Sequence, residues 1–282
     1  MTPTATATPT RTPEPLSLRV QLVDPQIAQG MAGMVRVVSS RPCSLRGILD
    51  ERAIAFGSDD GLEHVAIIAV HALAPVGQQE LTVMAVTEDG AEIRLDTELT
   101  VLPHEFAEER LIFSPEVSKL LAPEYTQPEL EKIQEVYATV SSSRLWEGLW
   151  LWPRVGRITS EFGTRRSYGG PVTSYHAGVD ISGNTGDEVV ASAAGVVALA
   201  EALHVRGNTV ILDHGWGVLS GYFHLDSIAV QPSDVVAPGE PIGTVGATGL
   251  VTGSHLHWEL RVGGIAVDPR QWLTRAFPDP AE

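Results

Sequence analysis

The sequence predicts a mainly all-β protein in which a short helical connector joins two β-rich parts. Three observations carry that reading. Residues 16–102 hold six or seven short apolar segments separated by glycine turns. Helical spacing of apolar residues is confined to the stretch after Thr126. From Pro153 onward glycine and valine rise, tight turns recur, and no long helical period returns. A chain of 282 residues with 43% hydrophobic and 19% charged residues can bury a sizeable core, and its length suggests about two domains.

Residues 1–15 (MTPTATATPTRTPEP) are almost entirely Thr, Pro and Ala and read as an extended linker. They lack the apolar centre of a signal peptide. Such a linker is expected to follow a signal, a lipid anchor or a membrane span. Residues 16–102 begin with LSLRVQLV, where Leu16, Leu18, Val20 and Leu22 share one face of a strand. MVRVV, AIAF, HVAIIAVHAL, ELTVMAV and IRLDTELTV follow, and Asp89-Gly90 is a hairpin signal. This spacing of strands predicts a small immunoglobulin-like sandwich.

Residues 103–152 form the connector. Thr126-Gln127-Pro128-Glu129 reads as a capping box, with Thr126 as N-cap and Pro128 in the first turn. Leu130, Ile133, Val136, Tyr137 and Val140 continue at helical spacing. Trp146, Trp150 and Trp152 are expected to be a packing clamp between the two parts rather than a ligand platform. Residues 153–282 read as the second β domain. There VVASAAGVVALA resolves into two buried strand segments around Gly195.

Composition excludes several function classes. A formal charge of −16 argues against nonspecific binding to nucleic acid or to an anionic membrane. No run of about 18 apolar residues is present, so no transmembrane helix is expected in this chain. The single cysteine, Cys43, excludes an intrachain disulfide and any cysteine-based zinc cluster, and reads as a small buried hydrophobe. Nine histidines remain to be explained.

Four of them fall in three motifs: His176-Ala177-Gly178-Val179-Asp180, Tyr222-Phe223-His224, and His255-Leu256-His257-Trp258-Glu259. In a strand, residues i and i+2 share a face. His255, His257 and Glu259 therefore face one side, and Leu256, Trp258 and Leu260 the other. His176 and Asp180 would stand about 13 Å apart on a straight strand. The glycine between them is expected to let the chain bend so that both reach one ion. Zinc accepts imidazole and carboxylate in a tetrahedral shell, and a catalytic site keeps one position open. His176, Asp180 and one of His255 and His257 would supply three ligands. His214 reads as a strand-end residue. His64, His71, His104 and His204 have no partner motif.

These residues resemble the lysostaphin/LytM-type zinc metallopeptidases, over Ile158 to Trp272 and in the same order. The match includes Ser160-Glu161-Phe162-Gly163-Thr164-Arg165, the His176 to Asp180 motif, Asp213-His214-Gly215, the Tyr222 to His224 segment, Gly246-Ala247-Thr248-Gly249, His255 to Glu259, and Val267-Asp268-Pro269. Ser254, where the family commonly has proline, and Ser233-Asp234, in place of Gly-Asp, are departures away from the metal set.

The resemblance implies a compact antiparallel β domain of the duplicated-hybrid-motif type, with a groove over the sheet. It implies one Zn2+ per chain on His176, Asp180 and His257, with His224 and His255 as catalytic histidines; one is the base and the other the stabiliser, a division the sequence leaves open, with His255 preferred as base. It implies a metalloendopeptidase acting on the peptide stems and cross-bridges of bacterial peptidoglycan, in an extracytoplasmic place. A non-catalytic module that activates another cell-wall hydrolase is the alternative. Glu259 is expected behind a ligand. Tyr175 is expected to flank the groove, and Arg165 and Arg166, in a loop, to pair with a stem carboxylate. The part before residue 153 is expected to cover the groove, space it, or dock a partner.

Overall fold

The computed structural model describes residues 14–110, 122–167 and 174–278. Most of the linker expected at residues 1–15 lies outside the described residues. The first β part comprises β1 (Leu18–Leu22), β2 (Gln26–Ala28), β3 (Ala32–Ser39), β4 (Ser44–Leu49), β5 (Arg52–Ile54), β6 (Glu63–Ala69), β7 (Gly77–Val86) and β8 (Glu92–Leu102). They form two sheets, β1-β3-β6 and β2-β8-β7-β4-β5. The β7–β8 hairpin turns at Asp89-Gly90, with Gly90 at φ 82°. Val35, Val37, Ala66 and Ile68 from one sheet pack with Leu49, Leu81, Val83 and Leu99 from the other. Cys43 is half-buried rather than buried, with Sγ 3.7 Å from Nε2 of His64.

Strand β6 explains its own sequence. His64-Val65-Ala66-Ile67-Ile68-Ala69 has no polar face, and every residue of it is buried. Ala66 and Ile68 face the sandwich core. Val65, Ile67 and Ala69 face the other way and join Ala32, Met34, Trp146, Trp216 and Trp272 in a second core. An unbroken apolar run is what a strand covered on both faces requires. The sheet β1-β3-β6 is thus a layer shared by both halves of the chain.

After β8 the chain forms β9 (Glu108–Arg110) and, further on, helix α1 (Pro123–Tyr137). The expected N-terminus of α1 is corrected. Its N-cap is Ala122, Pro123 occupies the first turn, and Thr126 and Pro128 lie inside the helix. Thr126 Oγ1 instead donates to the Ala122 carbonyl at 3.4 Å. Pro123, preset for the first helical position, starts the helix earlier than the capping pattern suggests. Glu129 does not reach back. It is buried and accepts from the backbone N–H groups of Val205 and Arg206 at 2.7 and 3.1 Å. Ile133 and Tyr137 are buried with Ile211, Leu219 and Phe223, whereas Leu130 and Val140 are exposed. Trp146 and Trp150 are buried in the shared core, and Trp152 is exposed.

The remainder comprises β10 (Ile158–Ser160), β11 (Arg165–Ser167), β12 (Ser174–Tyr175), β13 (Gly178–Ser182), β14 (Glu188–Val190), β15 (Gly195–Leu203), β16 (Gly207–Asp213), β17 (Val218–Ile228), β18 (Val235–Val236), β19 (Pro241–Val245), β20 (His255–Val262), β21 (Ile265–Val267) and helix α2 (Gln271–Thr274). The main sheet runs β10-β13-β20-β17-β16-β15-β18, with β14, β19 and β21 attached. A small sheet, β12-β11-β9, lies beside it, and in it β9 pairs parallel to β11. No described helix is long and apolar enough to cross a membrane.

Candidate metal centre

Strand β20 runs between β13 and β17, so its polar face meets residues from both. Leu256, Trp258 and Leu260 are fully buried on its opposite face. Asp180 sits directly across from His257 in the β13–β20 register, and Phe223 across from it in the β17–β20 register. His176 precedes β13, between a strand that pairs with β11 and one that pairs with β20. That change of sheet bends the chain. Gly178 contributes differently from the expected flexibility. A Cβ there would lie 2.3 Å from the Trp258 carbonyl oxygen, so glycine is required for close strand approach.

Three donor atoms converge. His176 Nε2 lies 3.0 Å from Asp180 Oδ1 and 2.8 Å from His257 Nδ1, and His257 Nδ1 lies 2.8 Å from Asp180 Oδ1. These residues could hold a metal ion, each offering one ligand atom. The far side of each ring fixes its tautomer. His176 Nδ1 lies 2.9 Å from the Glu161 carbonyl, which can only accept, so Nδ1 carries the proton. His257 Nε2 faces the Glu259 carboxylate at 3.1 Å and is a donor likewise. In the neutral form of each ring the inward nitrogen therefore offers a lone pair, which a cation seated beside Asp180 could accept. Such a centre fits a cation.

Electrostatics agree. Burial opposes charge on His257, but Asp180 and Glu259 on either side raise its pKa to about 9. Burial likewise opposes the Asp180 carboxylate, but the His176 and His257 imidazoles packed against it hold its pKa well below the usual range. The site draws positive charge, and a metal ion would replace the proton that His257 otherwise binds. Behind it, Glu259 is paired with Arg261 at 2.9 Å, and Arg261 stacks over Tyr137 of α1 at 4.4 Å.

Two more imidazoles border the centre. His255 Nε2 lies 3.6 Å from Asp180 Oδ1, and its Nδ1 donates to the Gly253 carbonyl at 2.8 Å. His224 stands 5.1 Å from His255 between ring centres, with its Nδ1 donating to the Thr248 carbonyl at 2.8 Å. His224 has φ 61°, a strained conformation for a non-glycine residue, held by its N–H bond to the Arg206 carbonyl. Burial, then His257 and His255, push the His224 pKa down to about 3. With Nδ1 the donor, the neutral tautomer of each ring leaves Nε2 as an acceptor, and both residues line a cleft of about 300 Å³ together with Asp180 and His257.

Other expected residues are placed elsewhere. Tyr175 turns from the cleft, its hydroxyl 3.2 Å from His71 Nε2. Arg165 and Arg166 are on strand β11, not in a loop, and only Arg166 lines the cleft. His214 is fully buried between the Ala194 carbonyl and Ser220 Oγ. Glu109 of β9 also lines the cleft and was not foreseen, since nothing in its local sequence marks it.

Residues 174–269 match the model of peptidase family M23. Over 125 residues the chain is 37% identical to the murein hydrolase activator NlpD of Escherichia coli, covering 44% of this chain and 31% of that one. Over 115 residues it is 40% identical to the peptidoglycan DD-endopeptidase ShyA of Vibrio cholerae, covering 40% and 26%. The matches thus span about a third or less of these curated relatives. A Pseudomonas aeruginosa crystal structure assigned to peptidase M23 aligns with TM-score 0.63, 23% identity and coverage of 89% of this chain and 96% of that one, and shares its fold. The domain that carries the His176, Asp180 and His257 cluster is thus a peptidase family M23 domain, of the LytM/lysostaphin type, over residues 174–269.

Proposed function

We propose that this chain is a zinc-dependent metalloendopeptidase that hydrolyses peptide cross-links of bacterial peptidoglycan in the cell envelope. On this reading residues 1–15 are a linker, 16–102 an Ig-like β domain, 103–152 the connector and 153–282 the peptidase. The convergence of three lone-pair donors, with two further imidazoles beside them, carries the proposal.

A zinc ion on His176, Asp180 and His257 would supply a Lewis acid and lower the pKa of water from 15.7 towards about 7. The protein's own groups handle the proton. His255, with Nε2 free and beside Asp180, takes it from the attacking water and returns it to the leaving amine. His224 would stabilise a developing oxyanion from Nε2 with a proton taken up from solvent and returned to it, because its Nδ1–H is committed to Thr248. The fixed outer bonds of all four rings remove the need to reorient them during the reaction.

The test is direct. Purified protein should bind about one zinc per chain and release cleaved products from cross-linked muropeptides, and chelation should stop this. Full activity of a His257→Ala protein would overturn the reading. A second reading is favoured by the relatives named as murein hydrolase activators: a module that stimulates another hydrolase. Stimulation of a partner amidase by metal-free protein would support it.

A further inference from the structure

One strongly charged contact in the cleft is unused by that chemistry. Arg166 is the only arginine or lysine among the described residues lining it. Its guanidinium reaches Ser160 Oγ at 3.2 Å and Asp180 Oδ2 at 3.6 Å. On its other side Nε lies 3.5 Å from Oε2 of Glu109. Both of those atoms are buried, and neither has a hydrogen-bond partner. Arginine and carboxylate usually meet at about 2.8 Å, often through two parallel bonds. Here the pair is shielded from water yet loosely joined, so Arg166 keeps bonding capacity that a better placed carboxylate could use.

Glu109 comes from the other half of the chain and is delivered by the backbone. Glu109 is paired with Arg166 in the β9–β11 register, and Arg165 N–H donates to the Ala107 carbonyl at 2.7 Å. Phe106 anchors the segment against Phe162, ring centres 6.3 Å apart. The strand is fixed while the Glu109 side chain is 41% exposed and can swing out.

We propose that Arg166 is the carboxylate-binding, specificity-determining residue of the cleft, and that Glu109 is its intramolecular occupant, displaced when a substrate carboxylate arrives. This rests on the peptidase reading and narrows its substrate class to peptides with a free carboxylate close to the scissile bond. Bridges of glycine alone lack such a group. The carboxylate can be the C-terminal one of a stem or the free one of a diamino acid.

The experiment uses the zinc-loaded full chain and cross-linked muropeptides in three forms: free acid, amidated at the C-terminus, and amidated at the diamino acid. The carboxylate that matters is the one whose amidation lowers kcat/KM. Arg166→Gln should shrink the acid-to-amide ratio by roughly tenfold, and Arg166→Lys should restore part of it. Glu109→Gln should lower KM for the acid by roughly threefold and leave the ratio in favour of the acid. Equal kcat/KM for all three forms, or a ratio unchanged in Arg166→Gln, would overturn the proposal. Binding of N-acetyl-D-alanine against its amide, followed by NMR, keeps the two readings apart. If the wild type cleaves nothing, the peptidase reading fails, while an acid preference lost in Arg166→Gln still upholds the subsite. No acid preference in the wild type sinks the subsite whatever the activity.

Discussion

Each imidazole around the centre is turned by a bond on its far side, and those bonds are where single substitutions should be felt. Glu259 holds Nε2 of His257 at 3.1 Å. Glu259→Gln keeps the shape but weakens that hold, and zinc affinity should fall roughly tenfold or more by chelator competition. Away from the centre, His214 is a residue-scale determinant of pH stability. Burial pushes its pKa down to about 4, below the ordinary 6.5. A histidine kept neutral by folding stabilises fully above the unfolded value. That contribution is lost as pH falls from 6.5 towards 4, because only the unfolded chain takes the proton. Between pH 7.5 and pH 5 the loss should be on the order of 2 kcal/mol. Urea titrations at both values, for wild type and His214→Asn, should show a flatter pH dependence in the variant.

Among the elements, helix α1 does more than connect. Its buried Glu129 caps the turn at Val205 and Arg206 and pairs with Arg206 Nη1 at 2.8 Å. The Arg206 carbonyl in turn accepts from His224 N–H. The connector therefore supports the strained histidine from below. Glu129→Ala leaves two N–H groups and a guanidinium without their acceptor. It should cost about 2–3 kcal/mol, seen as a lower urea midpoint with unchanged slope, and on the proposed zinc-peptidase reading it should reduce kcat without releasing zinc. Sequence spacing located this helix but misjudged its first turn. Thr126 and Glu129 satisfy a local capping pattern, and only the distant turn at residues 205–206 shows why Glu129 points away from it.

For the whole molecule, the layer β1-β3-β6 binds the halves together. Arg275 also pairs with Asp24 at 2.9 Å, and Gln271 exchanges hydrogen bonds with the backbone of Ala32. Where the halves meet, a Cβ on Gly57 would lie 1.9 Å from the Trp216 ring. Gly57→Ala should destabilise by about 1–3 kcal/mol through overpacking. Because one apolar core spans both halves, calorimetry of the wild type should show a single transition. Two separated transitions would mean the halves unfold independently.

The sequence by itself determined the β class and the helix, because those rest on short-range regularities, and it narrowed a candidate metal set to His176, Asp180 and one of His255 and His257, with His257 named only through the family resemblance. The alternation in His255 to Glu259 places both histidines on one face at any sheet position. The unbroken apolar run of β6 was legible as a strand, yet its two covering layers were not. Only the tertiary structure decided that His176 reaches Asp180 through a change of sheet, that Glu259 lies between His257 and Arg261, and that Glu109 enters the cleft beside Arg166. Glu109 and Arg166 are far apart in the chain, and their meeting depends on strand register, which leaves no periodic trace around either residue.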